Sequence, residues 1–201
     1  MKTRILLLSI VLTLFFNIKG NGQIVTNGNF TNGINGWTIT GNNLSIALTR
    51  GTINIPNSIE VINTTNANES FVLNSPPFSL LANEVYDLSM IYGHYASSLG
   101  GGLGIEYITR SQISSVGLKD SQGNIVKIIN LTNCNTSAGL NGPQIYSCGS
   151  NNFTVSASGA YSIEIISSMG SSNSNNLGTG EEYFIFDKKN QIQRGNINNE
   201  L

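Results

Sequence analysis

The segment NGNFTNGINGW, residues 27–37, sets two large aromatic side chains into a run of small and polar residues. Its three glycines let the chain turn tightly between the two rings, because glycine adopts backbone conformations that other residues avoid. We therefore expect Phe30 and Trp37 to insert together into one end of a β-sandwich and to pack in its core.

The rest of the chain has almost no helical periodicity. Short apolar or alternating runs recur instead, separated by Asn, Gly, Ser and Pro, which is typical of β-strands joined by turns. Residues 120–124 and 156–159 are expected turns. About ten short strands in this length predict an all-β sandwich or barrel rather than a parallel α/β fold. The expected strands are 37–39, 44–49, 58–62, 70–73, 85–95, 104–109, 114–119, 125–130, 152–156, 159–167 and 183–187.

The opening segment resembles that of secreted carbohydrate-binding modules of the β-jelly-roll, galactose-binding-like type, found beside xylanases and cellulases. Four later segments resemble the same modules in the same order: 58–61, 79–90, 116–120 and 183–187. The ordered set extends from about residue 24 to residue 188. It implies a jelly-roll β-sandwich of two antiparallel sheets. The side chains expected to be buried in it are Phe30, Trp37, Leu88, Met90, Ile163 and Ile165.

The resemblance also implies that a structural calcium ion could be bound. Such modules often have an acidic residue after the phenylalanine, where this chain has Thr31, and an Asp pair in the closing strand, where Phe186 precedes a single Asp187. Calcium binds six to eight oxygens. Asn29, Thr31 and Asp187, together with backbone carbonyls, could supply some of them. The alternative is that Asp187 is an ordinary residue at the end of a strand.

The N-terminus has the three-part layout of a secretory signal peptide. Lys2 and Arg4 precede an apolar run over 5–16, and small and polar residues follow over 17–22. The run is too short to span a bilayer, which takes about 20 apolar residues. We expect the mature chain to begin near Gln23 and to be secreted or held at the cell surface. Residues 23–188 then form one domain, and 189–201 a polar tail.

Composition narrows the choice of partners. The net charge is -1 and only 10% of residues are charged. Nucleic-acid binding needs a basic face, which this composition argues against. No segment after the N-terminal run is apolar enough to span a membrane. A surface of Gly, Ser, Thr and Asn forms hydrogen bonds without long-range steering, which suits a neutral partner such as a polysaccharide or a cell-surface glycan.

Cys134 and Cys148 are the two cysteines. In an exported chain the default interpretation is a disulfide, here one that holds a long polar loop rather than the core. Two free thiols or a redox pair are the alternative, although the chain has no C-x-x-C motif. A metal site is disfavoured, because the chain has a single histidine and no further cysteine.

Sugar recognition needs flat aromatic faces with hydrogen-bonding groups around them. In the expected strand 85–95, alternation turns the even positions from Tyr86 to Tyr92 towards the core and Tyr95 to the other face. Tyr95 is therefore the leading ligand-binding candidate. Tyr107 and Tyr146 are weaker candidates, for which a half-buried structural tyrosine is the alternative.

Catalytic signatures are missing from the sequence. His94 is the lone histidine, and there is no G-x-S-x-G motif or metal-ligand cluster. The glutamates could form a glycosidase pair only if two of them faced each other. We predict a non-catalytic module that binds a neutral glycan. The alternative is a structural or adhesive surface module without a sugar site.

Overall fold

A computed structural model describes residues 24–48, 58–65, 68–98, 112–138, 144–169 and 180–194. At 47–48, 94–98, 112, 133, 135–138, 144–145 and 180–194 it describes the backbone alone. Within these ranges the chain forms twelve β-strands and no helix, so none of the described residues forms a helix that could cross a membrane. The strands are β1 (Thr38–Gly41), β2 (Leu44–Leu48), β3 (Ile59–Asn63), β4 (Glu69–Asn74), β5 (Phe78–Leu80), β6 (Tyr86–Ser98), β7 (Gln112–Asp120), β8 (Ile125–Ile128), β9 (Leu131–Ala138), β10 (Gln144–Ser150), β11 (Gly159–Met169) and β12 (Gly180–Arg194).

The strands form two antiparallel sheets. Sheet A has the order β1-β4-β11-β7-β8, with β5 also paired to β11, and sheet B has the order β2-β3-β12-β6-β10-β9. Neighbours in a sheet are often distant in sequence, as jelly-roll sandwiches require. The predicted fold class, an all-β jelly-roll sandwich of two antiparallel sheets, is confirmed.

The core lies between the inner faces of the two sheets. Along β11 from Tyr161 onwards, residues alternate between buried and half-buried, as expected where one sheet face is covered. The six side chains predicted to be buried are all in this core, each at most 4% exposed. The rings of Phe30 and Trp37 lie 5.0 Å apart between centroids, so the opening segment closes the sandwich as the sequence suggested.

Asn27 organises that opening segment. Its backbone has a positive φ of 52°, and its carbonyl oxygen accepts a hydrogen bond of 3.1 Å from the Trp37 indole nitrogen. Its side-chain Nδ2 donates to the carbonyls of Gly33 and Asn35 at 2.9 and 3.0 Å, and its Oδ1 accepts from the Asn32 amide at 3.1 Å. One side chain therefore joins both ends of the turn between the two aromatic rings.

Three described strands were not among those predicted, namely β5, β9 and β10. The residues of β9 and β10 are largely polar or small, and they are strands because neighbouring strands supply the hydrogen bonds. β5 is a three-residue strand with two buried apolar side chains, and it pairs with β11. The predicted strand at 152–156 is instead an irregular segment with an isolated bridge at Phe153. The expected strand at 104–109 lies outside the described residues, as do residues 1–22. The domain boundary at 188 remains a prediction, and β12 continues past it to Arg194.

The disulfide between Cys134 and Cys148 is present, with the two Cα atoms 4.1 Å apart. It joins the neighbouring strands β9 and β10, which form an antiparallel pair. The prediction that the disulfide holds a long polar loop is therefore wrong. Ser147 pairs with Asn135 and Gly149 with Thr132, so β9 has one extra residue opposite Cys148. Cys148 is in the hydrophobic core and Cys134 is exposed. The bond thus anchors the edge of sheet B to the core.

Candidate functional site

An open cleft of about 620 Å³ lies at the end of the sandwich where β6 begins. This volume is within the range of about 300–1,000 Å³ that is usual for small-molecule sites. One wall is the β7–β8 hairpin, including its turn at 120–122. The other wall is segment 154–160, which comprises the end of the irregular connection from β10 and the first two residues of β11, and Asn83 closes the cleft next to that segment.

Asp120 builds the hairpin wall. Its Oδ1 accepts hydrogen bonds from the amides of Gln122 and Asn124, both at 2.9 Å, and its Oδ2 accepts one from the Asn124 side chain at 3.2 Å. Gly123 completes the turn with a φ of 86°. The hydrogen bond from the Asn124 amide is the main reason that the pKa of Asp120 is lowered. The carboxylate is therefore committed to holding the turn.

The opposite wall is held by bonds to the body of the sandwich. The Tyr161 hydroxyl donates to the Ala157 carbonyl at 2.7 Å, and Ser158 Oγ accepts from the Ala82 amide at 2.9 Å. The Asn83 amide donates to the Val155 carbonyl, also at 2.9 Å. Segment 154–160 is irregular in backbone up to Ser158, yet it is fixed at several points, which gives the cleft a defined shape.

Polar side chains in the cleft are available to a ligand. Six lining residues have side chains without a hydrogen-bonding partner among the described residues: Asn83, Ser121, Gln122, Lys127, Thr154 and Ser156. Three kinds of group are present: amides, hydroxyls and one ammonium. Asp120 and Lys127 are the two charged lining residues and have opposite signs. The cleft can therefore form many hydrogen bonds with a neutral molecule.

The lining does not provide the pair of carboxylates that glycoside hydrolysis uses. Asp120 is the one carboxylate among the residues that line the cleft, and its oxygens are engaged in the turn. No three His, Cys, Asp or Glu side chains of the described residues lie close enough together to hold a metal ion.

Tyr146 lies on the inner face of sheet B, away from the cleft. It is directly opposite Tyr92 in the β6–β10 pair, and the two rings stack with centroids 4.9 Å apart and planes 12° apart. Both are half-buried against the core. Burial, and to a smaller extent the neighbouring Tyr146, raise the pKa of Tyr92. The half-buried structural tyrosine considered as the alternative for Tyr146 therefore matches its position.

The other candidate residues are less fully described. Tyr95 is in β6 opposite Tyr183 of β12, far along β6 from the cleft, and its side chain is outside the described part. Tyr107 also lies outside the described residues. These two assignments remain predictions, and the structure does not place either residue with Tyr146.

The suggested calcium ligands are only partly described. Asn29 Oδ1 accepts hydrogen bonds from the amide and the hydroxyl of Thr31, at 3.3 and 3.1 Å. This local turn satisfies Asn29 without a cation, and the side chain of Asp187 is outside the described part. Neither described side chain is a carboxylate, and Asn29 Oδ1, an oxygen of a kind that calcium binds, is used within the turn. The calcium site remains a prediction.

The cleft was not found from the sequence. The turn at 120–124 was recognised, but only as a connection between strands. The sequence predicts the opposite wall as the end of a strand at 152–156 and a separate turn at 156–159. The two walls are separated by about 30 residues, and they meet because β7 and β11 pair, with Asp120 opposite Tyr161. Local sequence motifs do not predict which distant strands pair in this way.

No protein-family model and no curated protein matches the chain. Among solved structures, the chain is similar to TmCBM61, which was determined in complex with β-1,4-galactotriose. The match covers 87% of this chain and 99% of that chain, with 12% sequence identity and a TM-score of 0.43.

Proposed function

We propose that the domain is a non-catalytic module that binds a neutral glycan in the cleft between the β7–β8 hairpin and segment 154–160. The observation that carries the proposal is the set of amide and hydroxyl side chains that line the cleft without a partner in the described protein. Sugar hydroxyls are donors and acceptors at once, and such groups are their natural partners. The opposite charges of Asp120 and Lys127 favour a neutral ligand over an ionic one.

The experiment is affinity electrophoresis of the mature chain in native gels that contain β-1,4-galactan, xylan or glucomannan. Galactan is included because TmCBM61 was solved with a galactotriose. We expect at least one polysaccharide to retard the wild type, and Gln122→Ala to reduce the retardation. Thr40→Ala is the matched control, because Thr40 is an exposed polar residue of β1 outside the cleft. Equal retardation of all three proteins would place the sugar site elsewhere.

The structural or adhesive alternative is favoured by a different observation. The large hydrophobic side chains that are exposed in the described part of the chain are all aliphatic: Ile34, Ile46, Leu81, Ile125, Val126 and Ile128. No exposed aromatic ring of the kind that many sugar sites use is among them. A broad neutral-glycan array without a single binding signal would favour this alternative over glycan binding.

Export also belongs to the proposal. The charged, apolar and polar layout of residues 1–22 supports it, and so does the disulfide, since such bonds persist mainly in oxidising compartments. We expect secreted or surface-released protein to begin near Gln23. Intact-mass measurement of that material gives the N-terminus directly, and a mass that includes residues 1–16 would contradict export by cleavage.

A further inference from the structure

The cleft has an apolar wall besides its polar groups. Tyr161 is the aromatic lining residue, but it is only 7% exposed and its hydroxyl is bonded to the Ala157 carbonyl. Its ring therefore cannot serve as a stacking platform. Val126, in contrast, lines the cleft and is 49% exposed, more than any other large apolar side chain there.

A β-bulge in β8 explains how Val126 comes to line the cleft. Leu118 pairs with Lys127 and Lys119 pairs with Ile125, so Val126 is an extra residue with no partner on β7. Bulges change the direction of side chains relative to the regular alternation. Two consecutive residues, Val126 and Lys127, consequently line the cleft.

The flanking isoleucines of β8 lie on the other side. Gly117 pairs with Ile128 and Lys119 with Ile125, and Gly117 and Lys119 alternate along β7 with the core residues Val116 and Leu118, so they lie on its outward face. The Ile125 side chain covers Gly117, where a Cβ would lie only 2.8 Å from its Cδ1. Ile125 thus has a packing role against β7, whereas the bulged Val126 has no pairing partner on that strand.

Resting on the proposed function, we propose that Val126 is the apolar platform of the sugar site, against which the C–H face of a pyranose ring lies. The hydroxyls at the edge of that ring then meet the amide of Gln122 and the hydroxyls of Thr154 and Ser156. Aliphatic burial replaces the aromatic stacking that is common in sugar sites. The platform is small, so it discriminates by shape and contributes modest affinity.

The test compares variants at Val126 in gels that contain β-1,4-galactan or xylan. Val126→Thr has the same shape but places a hydroxyl on the platform, and we expect it to weaken binding about fivefold. Val126→Tyr adds a ring to the edge strand and should tighten binding. Ile128→Thr is the control, because Ile128 is on the same strand and 54% exposed but does not line the cleft.

The outcomes separate the platform from the proposed function. Binding that is weakened by Gln122→Ala but unchanged by Val126→Thr would overturn the platform and keep the cleft as the site. Binding that neither variant changes, or wild type that binds neither polysaccharide nor any array glycan, would overturn both. Equal weakening by Val126→Thr and Ile128→Thr would also overturn the platform, since it would show a general effect on β8.

Discussion

Removal of the disulfide should cost different amounts depending on which cysteine is replaced. The sequence separation of 14 closes a loop whose entropy in the unfolded chain corresponds to about 3 kcal/mol. Cys134→Ser loses that contribution and leaves a buried thiol at Cys148, which behaves as a small apolar group. Cys134→Ser should therefore destabilise the fold by about 3 kcal/mol.

Cys148→Ser should cost more. Cys148 is 3% exposed and lies opposite Met90 in the β6–β10 pair. A serine hydroxyl placed there without a partner adds about 1–3 kcal/mol to the loss of the bond. Cys148→Ala avoids the buried hydroxyl and should lie between the two serine variants.

Urea unfolding of the three variants and of reduced wild type measures these differences. Reduced wild type should match Cys134→Ser, because both retain a buried thiol at Cys148. The free energy of unfolding should be lowest for Cys148→Ser. Equal costs for Cys134→Ser and Cys148→Ser would refute the reasoning, since they would show that Cys148 is not in the core.

Three further predictions concern turns. Asn27→Ala loses three side-chain hydrogen bonds and retains a positive φ, so thermal unfolding should show a loss of about 2–3 kcal/mol, and Asn27→Gly should lose about 1 kcal/mol less. Gly123→Ala should cost about 1 kcal/mol through its φ of 86°, whereas Gly149→Ala, which also meets no atom within 4 Å but has ordinary φ, should be near neutral in the same assay. Because the pKa of Asp120 is lowered in the fold, the ionised carboxylate stabilises the protein above the ordinary pKa of 3.8, and this stabilisation is lost as pH falls below that value. Asp120→Asn should lack this contribution when stability is followed as a function of pH. Identical losses of stability in acid for the variant and the wild type would contradict the prediction.

The sequence predicted most of the architecture because apolar alternation reports burial directly. The even positions of β6 from Tyr86 to Tyr92 face the core as expected, and Phe30 and Trp37 pack together. The sequence did not predict strands made of polar residues, because such segments are strands through pairing with neighbouring strands and not through their composition. The β9–β10 hairpin is the main example, since its Ser, Thr and Asn residues look like a loop and only pairing with β6 makes β10 a strand.

The cleft could not be predicted for a related reason. Gln122 and Ser156 belong to turns that were identified separately, and their approach depends on the register between β7 and β11. The position of Val126 in the cleft wall depends on a bulge that local alternation does not show. Tyr146 was a predicted ligand-binding residue because sugar sites use aromatic faces, but its ring is stacked on Tyr92 against the core.

The most direct test of glycan binding in the cleft is a ¹⁵N-HSQC titration of the mature chain with galactan- and xylan-derived oligosaccharides. We predict saturable amide shifts concentrated in residues 120–127 and 154–160, with residues around Tyr92 and Tyr146 unaffected. Shifts centred on Tyr92 and Tyr146, or no saturable shift with either oligosaccharide series, would contradict the assignment of the cleft as the sugar site.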